Sequence, residues 1–321
     1  MRDHPQLWAY LALAAVCLFW GTTYLGIRMA LESFAPMQLV AIRYVASGLI
    51  LLAAARARGA HLPSGRELWF TALYGVIILG IGNGCLSFAE KIIPSGLAAL
   101  FITTSPFWMI GFEALLPGGE RLHGPTIAGM LVGLLGTLLL VAPSAMHQGF
   151  GGPILTGFLL LQLGCCGWSA GSIAQRRQET RAHPVVSGAI QQLATGVAFT
   201  AASLAIKQPA IHWSGKGIAA IAYLVVFGSI VGYSAYIYTL DKLPVSIVSI
   251  YNYINPLVAV FLGWLFYREA FGVRELCAMA VIFVGVAMVK RFSRHAPSTQ
   301  DGNLKVAAPG SQLVHSYNRE E

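Results

Sequence analysis

The sequence predicts an all-α membrane protein of ten transmembrane helices, arranged as two inverted five-helix repeats. Three observations carry this. The chain is apolar: 56% of its 321 residues are hydrophobic and only 11% are charged, whereas a soluble domain carries about a quarter charged residues. Uncharged windows of spanning length recur. Residues 124–141, for example, hold no charge, and such a window is long enough for a hydrocarbon core of roughly 30 Å. Finally, landmarks return at a near-constant offset. Trp20, Arg28 and Pro36 reappear as Trp168, Arg176 and Pro184, 148 residues on. Gly82, Pro94 and Pro106 reappear as Gly232, Pro244 and Pro256 at 150, and Glu120 and Gly136 as Glu269 and Gly285 at 149.

The first expected span, Trp8–Ala30, is an apolar stretch longer than a signal-peptide core and is followed by no A-x-A cleavage pattern, so it reads as a helix rather than a leader. The second, Pro36–Ala55, opens on proline, whose missing N–H suits a first helical turn. The third, Glu67–Ala89, is bounded by charge and carries Gly80, Gly82 and Gly84, small residues that let helices approach. The fourth, Pro94–Leu116, contains Pro106, and the fifth, Gly124–Val141, contains Gly133 and Gly136. The second half follows with Pro153–Ala174, Pro184–Ile206, Gly217–Leu240, Pro244–Tyr267 and Gly272–Val289. Residues 1–142 and 143–292 form the two repeats. The stretch 293–321 is polar and rich in Pro, Gly, Ser and Gln, and reads as a disordered cytoplasmic tail.

An odd number of helices per half makes the second half enter the membrane from the opposite side, which inverts the repeat. With both termini in the cytoplasm, fourteen of the 21 Lys and Arg residues lie inside, six lie outside and Arg43 lies within a span. That bias is the one expected of a cytoplasmic side. The loop at Gly149–Gly152 then lies outside. Repeats of this length in an apolar chain fit a carrier whose halves rock about a shared site.

Several segments carry a resemblance to a known family. They are "WGTTYLGIR" in the first span, "IRYVASGLILL" in the second, and "PSGLAALFITTSPFW" with "GERLHGPTIAGMLVGLLG" in the fourth and fifth. The second half adds "INPLVAVFLGWLFYREAFG" and "FVGVAMV". From Trp8 to Arg291 the chain resembles the EamA type of the drug/metabolite transporter superfamily. It reads "YREA" where that family commonly has a Gly-Glu pair, and Glu269 is retained. The resemblance implies ten helices, inverted repeats, and export of small metabolites, amino-acid-like compounds or drugs by alternating access in a bacterial inner membrane. Relatives in the superfamily also move lipid-linked groups, so a flippase is the alternative. A homodimer is compatible with the family.

Candidate binding residues are the polar and aromatic groups inside spans. Arg43 leads, because an ionisable group within a span is expensive and marks function by default. The competing readings are that it braces neighbouring helix ends, that it pairs with Glu90, or that its long side chain snorkels to the interface. The ninth span reads "SIYNYINP". Tyr251, Asn252, Tyr253 and Asn255 are too polar for a lipid-facing turn, and Pro256 frees a backbone carbonyl. Thr103, Thr104, Ser105 and Pro106 match them in the fourth span, so both segments are expected as interrupted helices lining one cavity. Interhelical hydrogen bonding is the other reading. Trp20 and Trp168 occupy equivalent positions, each needing a partner for its indole N–H and each offering a flat face to packing or to a substrate. Asn83, Ser87 and Tyr233 complete the set.

Of the thirteen acids only Glu113 falls clearly within an expected span, near its cytoplasmic end. Small relatives in the superfamily that export cations use a Glu in the first span, and this chain has none there. That favours a neutral, zwitterionic or anionic substrate, or facilitated movement, over simple proton–cation antiport. The net charge of +8 lies mostly in loops beside spans, so no nucleic-acid partner is expected. The five cysteines fall in apolar windows and read as small hydrophobes. All eight histidines lie in loops, tails or span edges. An intramembrane enzyme would need a nucleophile with a base, paired acids or a metal site. None is seen, and neither a metal nor a cofactor is expected. The partners are a small molecule and the bilayer.

Overall fold

The computed structural model describes residues 5–93, 95–119, 123–146, 152–258 and 272–292. Among them the chain is helical with no strand. The helices are α1 (Pro5–Ala30), α2 (Pro36–Ala57), α3 (Gly65–Ile92), α4 (Ser95–Ile102), α5 (Ser105–Leu115) and α6 (Gly124–Met146). They continue with α7 (Gly152–Arg176), α8 (Pro184–Ala205), α9 (Gly215–Lys242), α10 (Val245–Val248), α11 (251–258) and α12 (Val273–Phe292). Six of these, α1, α2, α3, α7, α8 and α9, are long and apolar enough to cross a membrane, and shorter apolar helices accompany them. The helix start expected at Pro94, the Glu120–Glu269 pair, the loop tip at 149–151, residues 259–267 of the ninth expected span and the tail from 293 lie outside the described residues.

Helix ends follow from local chemistry. Pro36 and Pro184 open α2 and α8. The Ser214 hydroxyl accepts the Gly217 N–H at 3.0 Å, occupying one of the N–H groups a helix start leaves unbonded. Gly59, at φ 65°, ends α2 in the left-handed region that a Cβ disfavours. There the Ala60 N–H reaches the Ala55 carbonyl and the Gly59 N–H the Arg56 carbonyl, both at 3.0 Å, which closes the helix.

Two departures from the expected spans bear on the site. The third helix runs past Glu90 to Ile92. The charge at Glu90 reads as a boundary in sequence, but its side chain is buried and the helix carries it. In addition, α3 and α9 each contain a π-helical stretch, Val76–Asn83 and Leu224–Val231. The expected interruptions are present in the fourth and ninth spans, at 103–104 and 249–250. Bonds of i→i+3 type mark them, such as Phe107 N–H to the Thr104 carbonyl and Asn252 N–H to the Ser249 carbonyl. The second break falls six residues before Pro256, so the proline itself lies within helical backbone.

The most extensive helix contacts all run between residues before 147 and residues after 151: α2 on α8, α6 on α12, α3 on α7 and α1 on α9. Glycines set the closest of them. A Cβ on Gly48 would meet the Leu193 nitrogen at 2.8 Å, and one on Gly196 the Val45 nitrogen at 2.6 Å. The α2–α8 backbones therefore touch through two glycines 148 residues apart. Outward, Leu115, Leu139, Leu159, Leu204 and Phe283 are exposed, a surface suited to lipid.

Polar contacts close both ends of the bundle. At one end Lys216 Nζ donates to both Glu32 oxygens at 2.7 and 2.8 Å, Ser33 bonds Ser214 at 2.8 Å, and Phe34 meets Trp213 edge to face. At the other end, reached through α2, Thr180 Oγ1 and the Arg181 N–H donate to Glu67 Oε1 at 2.6 and 2.9 Å, and Arg177 pairs with Glu113 at 3.3 Å.

Candidate functional site

A cavity lies among α1, α2, α3, α7, α9 and the two broken segments. Nine of the sequence-derived candidates line it: Trp20, Arg43, Asn83, Ser105, Trp168, Tyr233, Tyr251, Asn252 and Asn255. Ser87, Thr103, Thr104 and Tyr253 are not among its lining residues.

The wall is aromatic. Trp20 and Trp168 meet edge to face with centroids 5.3 Å apart. Tyr236 lies 5.0 Å from Trp20 and 5.2 Å from Trp168, and Tyr251 lies 5.2 Å from Trp20. Each indole N–H is bonded. Trp20 Nε1 donates to the Gly228 carbonyl at 3.0 Å, and Trp168 Nε1 to the Tyr236 hydroxyl at 3.0 Å, which in turn donates to Ser172 at 2.8 Å. The rings are thus fixed by hydrogen bonds at their edges while their faces remain apolar.

Two glycines let the tryptophans in. A Cβ on Gly82 would sit 2.7 Å from the Trp168 ring, and one on Gly232 would sit 2.5 Å from Trp20 Nε1. Each tryptophan therefore packs on the glycine that belongs to the other half, close to the π-helical stretch of that half's long helix. Gly82 is a packing glycine and a lining residue at once.

Arg43 is the only charged side chain among the described lining residues. It is 4% exposed. Its Nε donates to Ser229 Oγ at 2.7 Å, and its guanidinium lies 5.1 Å from the Tyr44 ring centre. Among the described residues no carboxylate pairs with it and no hydrogen bond occupies Nη1 or Nη2. The Glu90 pairing open at the sequence level is not made, since neither Glu90 oxygen has a hydrogen-bond partner. Nearby, Ser47 bonds both the Arg43 carbonyl and Gln192, and the Tyr233 hydroxyl donates to Gln191 at 2.7 Å. A buried polar layer thus runs between α2 and α8 beside the arginine, whose side chain is itself held by Ser229 of α9.

The ninth-span segment contributes an open acceptor. Asn252 Nδ2 donates to the Ser249 carbonyl at 3.2 Å, but its Oδ1 is buried with no partner. The Asn255 amide, turned so that its nitrogen faces carbonyls, donates to Tyr251 O at 3.1 Å and Cys17 O at 3.0 Å. Its neighbours are otherwise engaged. Tyr253 donates to the Met130 carbonyl at 3.1 Å, with Gly133 against its ring, and Thr104 bonds Gln162 of α7. Sequence reasoning missed Tyr24, Tyr44, Ser229 and Tyr236. The last two sit at offsets where the first half has no polar match, so the repeat gives no signal for them.

A single cation with free donors, an unsatisfied amide oxygen and apolar ring faces can together hold a small molecule bearing an anionic group, a hydrogen-bond donor and a flat apolar part. The EamA-like transporter family matches residues 7–142 and 155–291. The uncharacterized inner membrane transporter YedA of Escherichia coli (strain K12) is 34% identical over 292 residues, covering 90% of this chain and 92% of that one. The aromatic amino acid exporter YddG of Ancylobacter novellus is 32% identical over 171 residues, 53% of this chain and 59% of that one. A solved crystal structure of a protein superposes with a TM-score of 0.75 at 25% identity, over 92% of this chain and all of the other.

Proposed function

Because the chain belongs to the EamA-like transporter family, we propose that it is a bacterial inner-membrane carrier exporting small aromatic or amino-acid-like carboxylates by alternating access. The observation that carries this reading is Arg43, buried in an aromatic-walled cavity with both Nη groups unbonded among the described residues. A carboxylate would take them as a bidentate pair. The Asn252 Oδ1 would accept from an ammonium or amide, and Trp20 and Trp168 would flank the apolar part. Export of aromatic amino acids by the relative from Ancylobacter novellus fits this wall.

Ten spans in two inverted repeats, with both termini cytoplasmic, complete the proposal. The exchanged pairs Trp20 with Gly232 and Trp168 with Gly82 support the repeat, since related positions meet across the halves. In this reading the Glu32–Lys216 end and the Glu67–Thr180 end are the contacts that open in turn.

The test is counterflow of labelled L-tryptophan in proteoliposomes. The wild-type protein should exchange it. Arg43→Gln, which removes the charged donors, should weaken apparent affinity by about ten- to hundredfold, matching about 1.5–3 kcal/mol for hydrogen bonds to a charged group. No exchange of tryptophan or of its decarboxylated and deaminated analogues by the wild type would overturn the aromatic reading. Equal affinity in Arg43→Gln would remove Arg43 from it.

A further inference from the structure

Glu90 is 7% exposed, and among the described buried carboxyls it alone has both oxygens without a hydrogen-bond partner. It lies on the last turn of α3. Asn83 and Leu86 of the same helix line the cavity. They stand seven and four residues before Glu90, a spacing that puts all three on one helix face. The carboxyl therefore continues the cavity-lining stripe one turn beyond the cavity.

The groups around it are few. From α1, Tyr24 lines the cavity and Arg28, one turn further along, has an exposed side chain. On its own helix Lys91 turns to the Leu31 carbonyl at 3.4 Å, and Cys85 is a free thiol. The other helices packed on this end of α3 carry Arg43, bonded to Ser229, and Tyr44 on α2, and the free thiols Cys165 and Cys166 on α7, while α4 carries no titratable group. Among the described residues no donor is within hydrogen-bond distance of the carboxyl.

An ionised carboxylate held this way is among the costliest groups to bury, and a bound proton removes the charge without any new partner. Ionisable residues inside membrane helices mark proton and substrate pathways. We propose that Glu90 is a proton-binding site of the carrier, loaded from water on one side of the membrane and emptied to water on the other as the α1–α3 end of the cavity changes access. The step is balanced: a carboxylate oxygen gains one proton from water and later returns it, with no other bond changed. The shared face of α3, with Asn83 and Leu86 on the cavity and Glu90 one turn beyond, links the two occupancies. The linkage rests on the carrier reading above, whereas the proton site does not.

Infrared difference spectra of the full-length protein in liposomes, stepped between acidic and alkaline buffer, test the site without any substrate. The wild type should lose a protonated-carboxyl C=O band on alkalinisation. That band should be absent in Glu90→Gln and kept in Glu113→Gln. Glu90→Asp should shift it, which covers failure of the Gln variant to insert. A wild-type spectrum with no such band, or a band untouched by both Glu90 variants, overturns the site. A second arm imposes a pH gradient on tryptophan counterflow. Wild-type flux should respond to the gradient and Glu90→Gln flux should not, and a wild-type flux blind to the gradient overturns the linkage. Absence of flux of tryptophan and of its decarboxylated and deaminated analogues refutes the aromatic carrier reading, and the infrared arm still decides Glu90.

Discussion

Arg43→Lys separates charge from shape at the centre of the cavity. Lysine keeps the cation but cannot hold Ser229 through a fixed Nε while presenting two further coplanar donors. We expect substrate affinity, read by isothermal titration with tryptophan, to fall about tenfold or more, the scale of one charged hydrogen bond. Tyr253→Phe is the contrast. Its hydroxyl bonds the Met130 carbonyl at 3.1 Å away from the cavity lining, so its loss should cost about 1 kcal/mol of stability and leave affinity alone. The sequence shows Tyr251 and Tyr253 as equals. At 100° per residue they point about 200° apart, and Tyr251 shares its face with Asn255. Polarity marks the segment, but only the rotation of α11 against α1 decides which tyrosine sees the cavity. Arg43 was legible because a charge inside a span stands out alone. Its partner Ser229 was not, because a serine in an apolar helix is common.

Helix ends were readable from proline, glycine and charge, since each acts on the backbone within a turn. The π-helical stretches were not, because nothing in "VIILGIGN" or "LVVFGSIV" distinguishes them from an α-helix of the same composition. They matter because the glycines beside them admit the tryptophans. Gly232→Ala places a Cβ 2.5 Å from Trp20 Nε1, where the indole is already committed to the Gly228 carbonyl. The expected loss is about 1–3 kcal/mol, the usual scale for overpacking, visible as a lowered melting temperature in detergent. Gly111→Ala, with nothing within 4 Å, should stay within about 1 kcal/mol of wild type. Equal behaviour of the two would mean that Trp20 can move aside freely.

At the scale of the whole molecule, the direction of insertion rests on charge. Fourteen of the 21 basic residues fall on the side assigned to the cytoplasm. Single cysteines placed at Gly59 and at Gln208, in a background lacking the five native thiols, should therefore label from the inside and the outside of intact cells respectively. The reverse pattern would invert the topology and with it the direction of export. The recurrence of landmarks is plain in the sequence because they are prolines, glycines and tryptophans, whose backbone and packing roles are hard to substitute. The contacts between the halves were not, since a repeat gives no account of which copy touches which.

Those contacts carry a consequence for how the protein is made. The broadest pairings, α2 on α8, α6 on α12, α3 on α7 and α1 on α9, each join an early helix to a late one. When α1 to α6 have left the ribosome, Gly48 and Gly82 have nothing to lean on, and Arg43 has no Ser229 to bind. The early half must wait in the bilayer with its polar faces uncovered until synthesis is nearly complete. Assembly is thus a late event that makes the nascent chain dependent on the insertion machinery, and a chain truncated after α6 is a substrate for quality control rather than a half-sized carrier.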